Sequence, residues 1–298
     1  MNTFTNHDNK LNKKKVVFVM GATGTGKTRL SVHLATHFKG EIINSDKMQV
    51  YKGLDIVTNK ITDNEKQGVP HHLLGKFYSR LPDVEFTAED FCSQAIFYIE
   101  SISKSGCVPI IVGGSNSYIE KLVEDPKFMF KSKYDCCFIW VDVALPVLFS
   151  FVRVRVDQMV NAGLVNEVRG IFVPDADYTK GIRRSIGVPE MDKYLREENK
   201  LDNDEESKKT LLESAIEEIK LNTCELICRQ LAKIRQFRNE KMWPLHHIDA
   251  TSVFRKVEKE SVDNAWKEIV WKPCLEIVEE FLKDDDHKIN VEAAKLME

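Results

Sequence analysis

The run Val16-Val17-Phe18-Val19-Met20-Gly21-Ala22-Thr23-Gly24-Thr25-Gly26-Lys27-Thr28 sets the architecture of the N-terminal half of the chain. An unbroken apolar stretch rich in β-branched valine reads as a strand buried on both faces of a parallel sheet. Thr28 to Phe38 then carries Leu30, Leu34 and Phe38 at helical spacing, and Gly40 closes that helix before a second short strand, Glu41 to Asn44. Between the first strand and the helix, Gly21 through Thr28 match the full pattern of a phosphate cradle. Glycines let backbone N–H groups close round a polyphosphate, and the helix N-terminus adds positive field. Lys27 reaches terminal phosphate oxygens, and the Thr28 hydroxyl can hold Mg²⁺. The bland alternative is a glycine-rich turn with no ligand, which the strand before and the helix after argue against. The motif specifies a diphosphate site, comprising Gly21, Ala22, Thr23, Gly24, Thr25, Gly26, Lys27 and Thr28, but not a reaction.

Outward from the cradle, Asn44-Ser45-Asp46-Lys47-Met48-Gln49-Val50-Tyr51 follows the second strand, and strand ends in doubly wound sheets face the ligand crevice. Asp46 is therefore a candidate general base or Mg²⁺ partner; alone, an Asp in this place is as readily a turn or helix cap. Val50 to Pro70 reads as a loop excursion, with His71 to Leu74 returning to a strand in which His71 and His72 are structural. Thr87 to Ser103 is an amphipathic helix with Thr87 as N-cap and Asp90 three residues on. Val108 to Val112 is a parallel-type strand ended by Gly113-Gly114, followed by a short helix from Ser117 in which Tyr118 is a core residue. Cys136 to Val143 is a further strand. The period then turns helical over Val147 to Ala162, Val165 to Ile171 and Thr210 to Arg238. The polar stretch Glu197 to Lys209 reads as a solvated loop, and 279–298 as a mobile or loosely docked helix. The expected fold is α/β, a P-loop NTPase-like parallel sheet flanked by helices with a smaller helical lobe. Its expected divisions are a flexible N-terminus (1–15), the α/β core (16–143), the helical lobe (144–209) and C-terminal helices packing back on the core (210–298).

Composition narrows the function. The chain has 298 residues, 43% hydrophobic and 30% charged, with a formal net charge of −3, so disorder of the whole chain is excluded and no global attraction draws it to nucleic-acid backbones. Seven cysteines, an odd number without a secretory signal, point to a reducing compartment. Cys224 and Cys228 share a helix face without partners for a zinc site and read as buried small hydrophobes. No apolar run reaches the roughly 18 residues of a membrane span. The segment Met1 to Lys15 lacks an apolar signal core and is too short and too poor in Arg and Ser for a transit peptide, which leaves the cytoplasm or a plastid as compartment.

Several blocks in fixed order carry a family likeness. After the cradle and Asn44 to Tyr51 come Lys52-Gly53-Leu54-Asp55-Ile56, Gly68-Val69-Pro70-His71-His72 and Ile110-Ile111-Val112-Gly113-Gly114. Gly163-Leu164-Val165-Asn166-Glu167-Val168, Gly181 to Glu190 and Arg229-Gln230-Leu231-Ala232-Lys233 complete the series. The chain resembles the isopentenyltransferases that prenylate adenine, a family with tRNA-modifying and free-nucleotide members. Lys47 in place of Ser or Ala, Ser115-Asn116 in place of Thr-Gly, and Val188-Pro189 in place of Tyr-Lys favour the plant-type, free-nucleotide branch of adenylate isopentenyltransferases that begin cytokinin synthesis. The absence of a zinc-finger pattern after Arg238 and the acidic balance agree, so tRNA is disfavoured as partner.

The resemblance implies that the P-loop binds dimethylallyl diphosphate with Mg²⁺, and that Asp46 takes the proton from the N6 amine of ATP or ADP, with AMP a further acceptor. It also implies that Arg229 lies near the diphosphate. Ser45, Asp46, Arg183 and Arg184 are the candidate nucleotide contacts. A tRNA dimethylallyltransferase, a P-loop small-molecule kinase and a non-enzymatic nucleotide switch remain as alternatives.

Overall fold

The computed structural model describes residues 13–77, 85–198, 204–256 and 259–295. Among the described residues six strands form one sheet: β1 (Lys14–Met20), β2 (Gly40–Asn44), β3 (His71–His72), β4 (Val108–Val112), β5 (Tyr134–Asp142) and β6 (Leu245–Asp249). Their order is β3-β2-β4-β1-β5-β6, every pair parallel. Successive residues of a strand face opposite sides, and Val16, Val17, Phe18, Val19 and Met20 are all 0% exposed, so helices cover both faces. Val17 stands between Ile110 of β4 and Cys137 of β5 in the register.

β1 begins at Lys14, inside the segment expected to be flexible: Lys14 and Lys15 pair with Tyr134 and Asp135. The rest of that expected tail, 1–12, lies outside the described residues, as does 199–203 of the expected solvated loop. A larger departure is β6. Leu-His-His-Ile-Asp has no apolar alternation to betray it, because it is an edge strand whose His246 and His247 are exposed. The helix Ala88–Lys104 has the expected start, Thr87 and Asp90 forming a reciprocal capping box.

A second, smaller core contains Val156, Leu164, Val168, Val188, Met191, Leu195, Ala215 and Ile219. Leu54 and Val57, from the excursion after β2, join it. The excursion is also tied by hydrogen bonds: the N–H groups of Ile56 and Val57 donate to the Glu167 carboxylate at 3.1 and 2.8 Å. The helix Glu205–Asn239 serves both cores, Ala215 and Ile219 in the small one, Ile227, Leu231, Ile234 and Phe237 in the main one.

The C-terminal chain runs from the helix Lys259–Trp266 through a π-helical turn, Lys267–Trp271, into the helix Lys272–Lys295. Trp266, Val270, Cys274 and Val278, which precede the expected loose helix, are buried in the main core, and of 279–298 the side chains of Phe281 and Leu282 pack against that core. Cys228 is exposed and Cys224 half-buried, against the expectation of burial for both: Ile227 and Leu231 take the inward face of that helix. Among the described residues no helix is long and apolar enough to cross a membrane.

Candidate active site

β2, β4 and β1 are neighbours in the sheet, and their C-terminal ends deliver Ser45-Asp46, Gly113-Gly114 and the cradle Gly21–Thr28 to one crevice. Tight approach there requires glycine. A Cβ on Gly113 would lie 2.4 Å from the Ser45 hydroxyl oxygen, and one on Gly114 2.3 Å from the Gln230 amide nitrogen.

A cavity of about 660 Å³ opens over the cradle, lined by Lys27, Thr28 and Asp46 on its polar side and by Val32, Ile42 and Val112 among its apolar walls. The buried Lys27 ammonium donates to the Ala22 carbonyl at 2.6 Å. Desolvation draws its pKa down to about 8, with Asp46 opposing and Arg155 reinforcing the shift. Arg155, from the helix Leu145–Asn161, donates to the Thr23 hydroxyl at 3.0 Å. Gln230 holds the cradle from the other side: its side-chain oxygen accepts from the Thr23 N–H at 2.8 Å, and its amide nitrogen donates to the Gly114 carbonyl at 3.0 Å.

Asp46 divides its carboxylate. Oδ1 accepts from the N–H groups of Met48 and Gln49 at 2.9 and 3.3 Å, which satisfies the turn-capping reading. Oδ2 lies toward Gly114, 3.7 Å from where a Cβ there would sit. Asn44 fixes the turn by accepting from the Asp46 N–H and donating to the carbonyls of Asp46 and Leu73.

A second cavity, of about 600 Å³, lies on the far side of Asp46. Lys47, Arg155, Arg184, Arg229 and Lys233 line it, and Asp46 is its single carboxylate among the described residues. The two cavities share Thr23, Asp46, Asn59, Gly114, Arg155 and Gln230. Each can hold an anionic ligand, and the shared carboxylate stands where a proton would have to leave a group reacting between them.

The expected site residues do not all gather here. The cradle and Asp46 do. Ser45 is 1% exposed, lines neither cavity and has no hydrogen-bond partner for its hydroxyl among the described residues. Arg183 and Arg184 part company in the 3₁₀ turn Gly181–Arg184: Arg183 is 7% exposed and outside both cavity walls, whereas Arg184 lines the second cavity and pairs with Glu85 at 2.9 Å. Arg229 is exposed on the wall of the second cavity, paired with Glu225 at 2.7 Å, and does not line the cradle cavity; the next residue, Gln230, is the one that touches the cradle.

Arg155 went unread in the sequence, and Lys233 was read only as part of a family block with no role of its own. Arg155 is masked among the alternating valines of its helix, its one signal being that it directly precedes the buried Val156. As for metal, Thr28 and Asp46 offer a hydroxyl and a carboxylate to one cavity. Such a hard-oxygen pair suits Mg²⁺ when substrate phosphates and water complete its shell. Among the described residues no cluster of three His, Cys, Asp or Glu forms a site built by protein alone.

The IPP transferase family model matches residues 49–132 and 125–237. Adenylate isopentenyltransferase 5, chloroplastic, of Arabidopsis thaliana is 57% identical over 93% of this chain and 83% of its own length. Adenylate isopentenyltransferase 7, mitochondrial, of the same plant is 51% identical over 92% and 84%. A eukaryotic dimethylallyltransferase acting on tRNA superposes with a TM-score of 0.74 at 24% identity, covering 91% of this chain and 80% of that one. The full-length tRNA isopentenylpyrophosphate transferase of Bacillus halodurans gives 0.68 at 25%, covering 92% and 100%. With these matches, and with a P-loop NTPase-like sheet carrying the cradle and Asp46 at its switch point, the chain belongs to the IPP transferase family.

Proposed function

We propose that this protein transfers a dimethylallyl group from dimethylallyl diphosphate to N6 of the adenine of ATP or ADP, with AMP a further acceptor, as the first step of cytokinin biosynthesis. The observation that carries the reading is the junction of a diphosphate cradle with a cation-lined cavity at one carboxylate, Asp46. Relatives named adenylate isopentenyltransferases support the choice of acceptor.

In the reaction the allylic C1–O bond breaks and an N6–C1 bond forms. The departing diphosphate takes the negative charge, which Lys27, the cradle N–H groups and Arg155 stabilise. Mg²⁺ would add its charge to that stabilisation from the side of Thr28. Adenine N6 is a weak nucleophile because its lone pair is delocalised into the ring; Oδ2 of Asp46 accepts its proton as the new bond forms. The apolar walls at Val32, Ile42 and Val112 would shield the prenyl fragment from water. Arg183, Arg229 and Ser45 would then act from outside the reacting centre. We place the activity in the cytoplasm or a plastid, one of the relatives above being named chloroplastic; a fluorescent fusion confined to mitochondria would contradict that.

The test is product analysis by mass spectrometry with dimethylallyl diphosphate and, in turn, AMP, ADP, ATP and tRNA. N6-prenylated ADP or ATP is the expected product. Prenylation of tRNA alone would overturn the acceptor, and phosphoryl transfer without prenylated adenine would overturn the reaction.

A further inference from the structure

The cations around the second cavity differ in how their charge is met. Arg184 is paired with Glu85 at 2.9 Å, Arg229 with Glu225 at 2.7 Å and Lys233 with Glu120 at 2.7 Å. Arg155 is committed to the Thr23 hydroxyl. Lys47 is half-buried, and among the described residues no carboxylate lies within ion-pair distance of its ammonium. Its place is fixed by the backbone, whose N–H donates to the Ser115 hydroxyl at 2.9 Å.

A smaller cavity of about 270 Å³ adjoins the second one, and both are lined by Lys47, Met48, Ser117 and Arg184. Lys47 thus stands at a neck, one residue along the chain from the carboxylate at the reacting centre. Holding a cation part-way out of water without an anion is unfavourable. A site of this kind gains most from a ligand that brings its own negative charge.

We infer that Lys47 binds the phosphate chain of the acceptor nucleotide as it leaves the second cavity through this neck, and that it thereby favours phosphorylated acceptors over the free nucleoside. The inference rests on the proposed adenine acceptor. A charge-assisted contact to phosphate is worth roughly a factor of ten or more in affinity.

The experiment compares wild type, Lys47→Ala and Lys47→Arg. KM is measured for ADP and for dimethylallyl diphosphate, the inhibition constant for adenosine, and ADP binding by calorimetry without prenyl donor. Lys47→Ala should weaken ADP about tenfold or more while leaving adenosine and the donor unchanged, and Lys47→Arg should recover most of the loss. An unchanged ADP affinity, or equal losses for ADP, adenosine and donor, would overturn the inference. Because calorimetry needs no turnover, it reads Lys47 even if no prenylated product forms, an outcome that counts against the proposed reaction and not against this contact.

Discussion

Asp46 shows how one side chain meets two demands. Oδ1 holds the turn through two backbone N–H groups, which fixes the carboxylate, and Oδ2 is left for the proposed proton transfer. Asp46→Asn can keep its amide oxygen on the turn while losing the ability to take a proton. The expected outcome is a kcat lower by roughly a hundredfold or more, with donor KM and Tm little changed. A wild-type kcat would end its role as base, and a donor KM rising in step with the lost rate would move it to the metal. Lys27 makes a separate prediction through pH. Its folded-state pKa is lowered to about 8, so the cation proposed to receive diphosphate is present below that value and lost above it. kcat/KM for the donor should therefore fall as pH rises through about 8, whereas kcat, measured with diphosphate bound and the cation favoured, should hold to higher pH. A flat kcat/KM from pH 7 to 9.5 would show that Lys27 does not titrate there. At this scale the meeting of the cradle and Asp46 at one cavity was legible because each belongs to one local loop. That Ser45 and Arg183 stand outside both cavity walls was not, because residue type does not say which way an adjacent side chain turns.

Among the elements, the C-terminal segment has the least expected consequence. Gly26 has φ of 88°, and a Cβ placed there would come within 2.6 Å of the Trp266 ring. The Arg29 guanidinium lies over that ring at 4.8 Å and pairs with Asp263 at 2.8 Å. The helix Lys259–Trp266, beyond the span of the family match, therefore braces the cradle. Trp266→Ala should cost about 3–5 kcal/mol of stability as a large-to-small core change. It should also raise KM for the prenyl donor several-fold while leaving acceptor KM near wild type, with Trp266→Phe intermediate. Equal changes in both KM values would make Trp266 a core residue only. The strands β1, β2 and β4 were legible because parallel strands buried on both faces need unbroken apolar runs. β6 and the bracing segment were not: an edge strand can be polar, and the contact of Trp266 with Gly26 joins positions far apart in the chain.

For the molecule as a whole, the second cavity is walled by Val57, Val156 and Ile219 of the small core, and one helix connects that core to the main one. In Glu205–Asn239 the stretch from Thr223 to Gln230 runs beside the second cavity, between residues committed to the small core and residues committed to the main core. The small core also secures Leu54 and Val57, in the excursion that leaves Asp46. Loosening the small core should therefore disturb the acceptor side first, while the cradle, built on β1 and braced by Trp266, stays formed. Leu164 is a suitable probe, being 0% exposed in the small core and absent from both cavity walls. Leu164→Ala should cost about 2–5 kcal/mol, within reach of a folded but weakened lobe. Hydrogen exchange should rise in Leu164–Arg169 and in the first half of Glu205–Asn239, and KM for ADP should rise, while diphosphate binding measured by calorimetry stays near wild type. If diphosphate binding weakens as much as ADP binding and exchange rises equally in β1 and β4, the two cores unfold as one unit and the lobe has no separate hold on the acceptor.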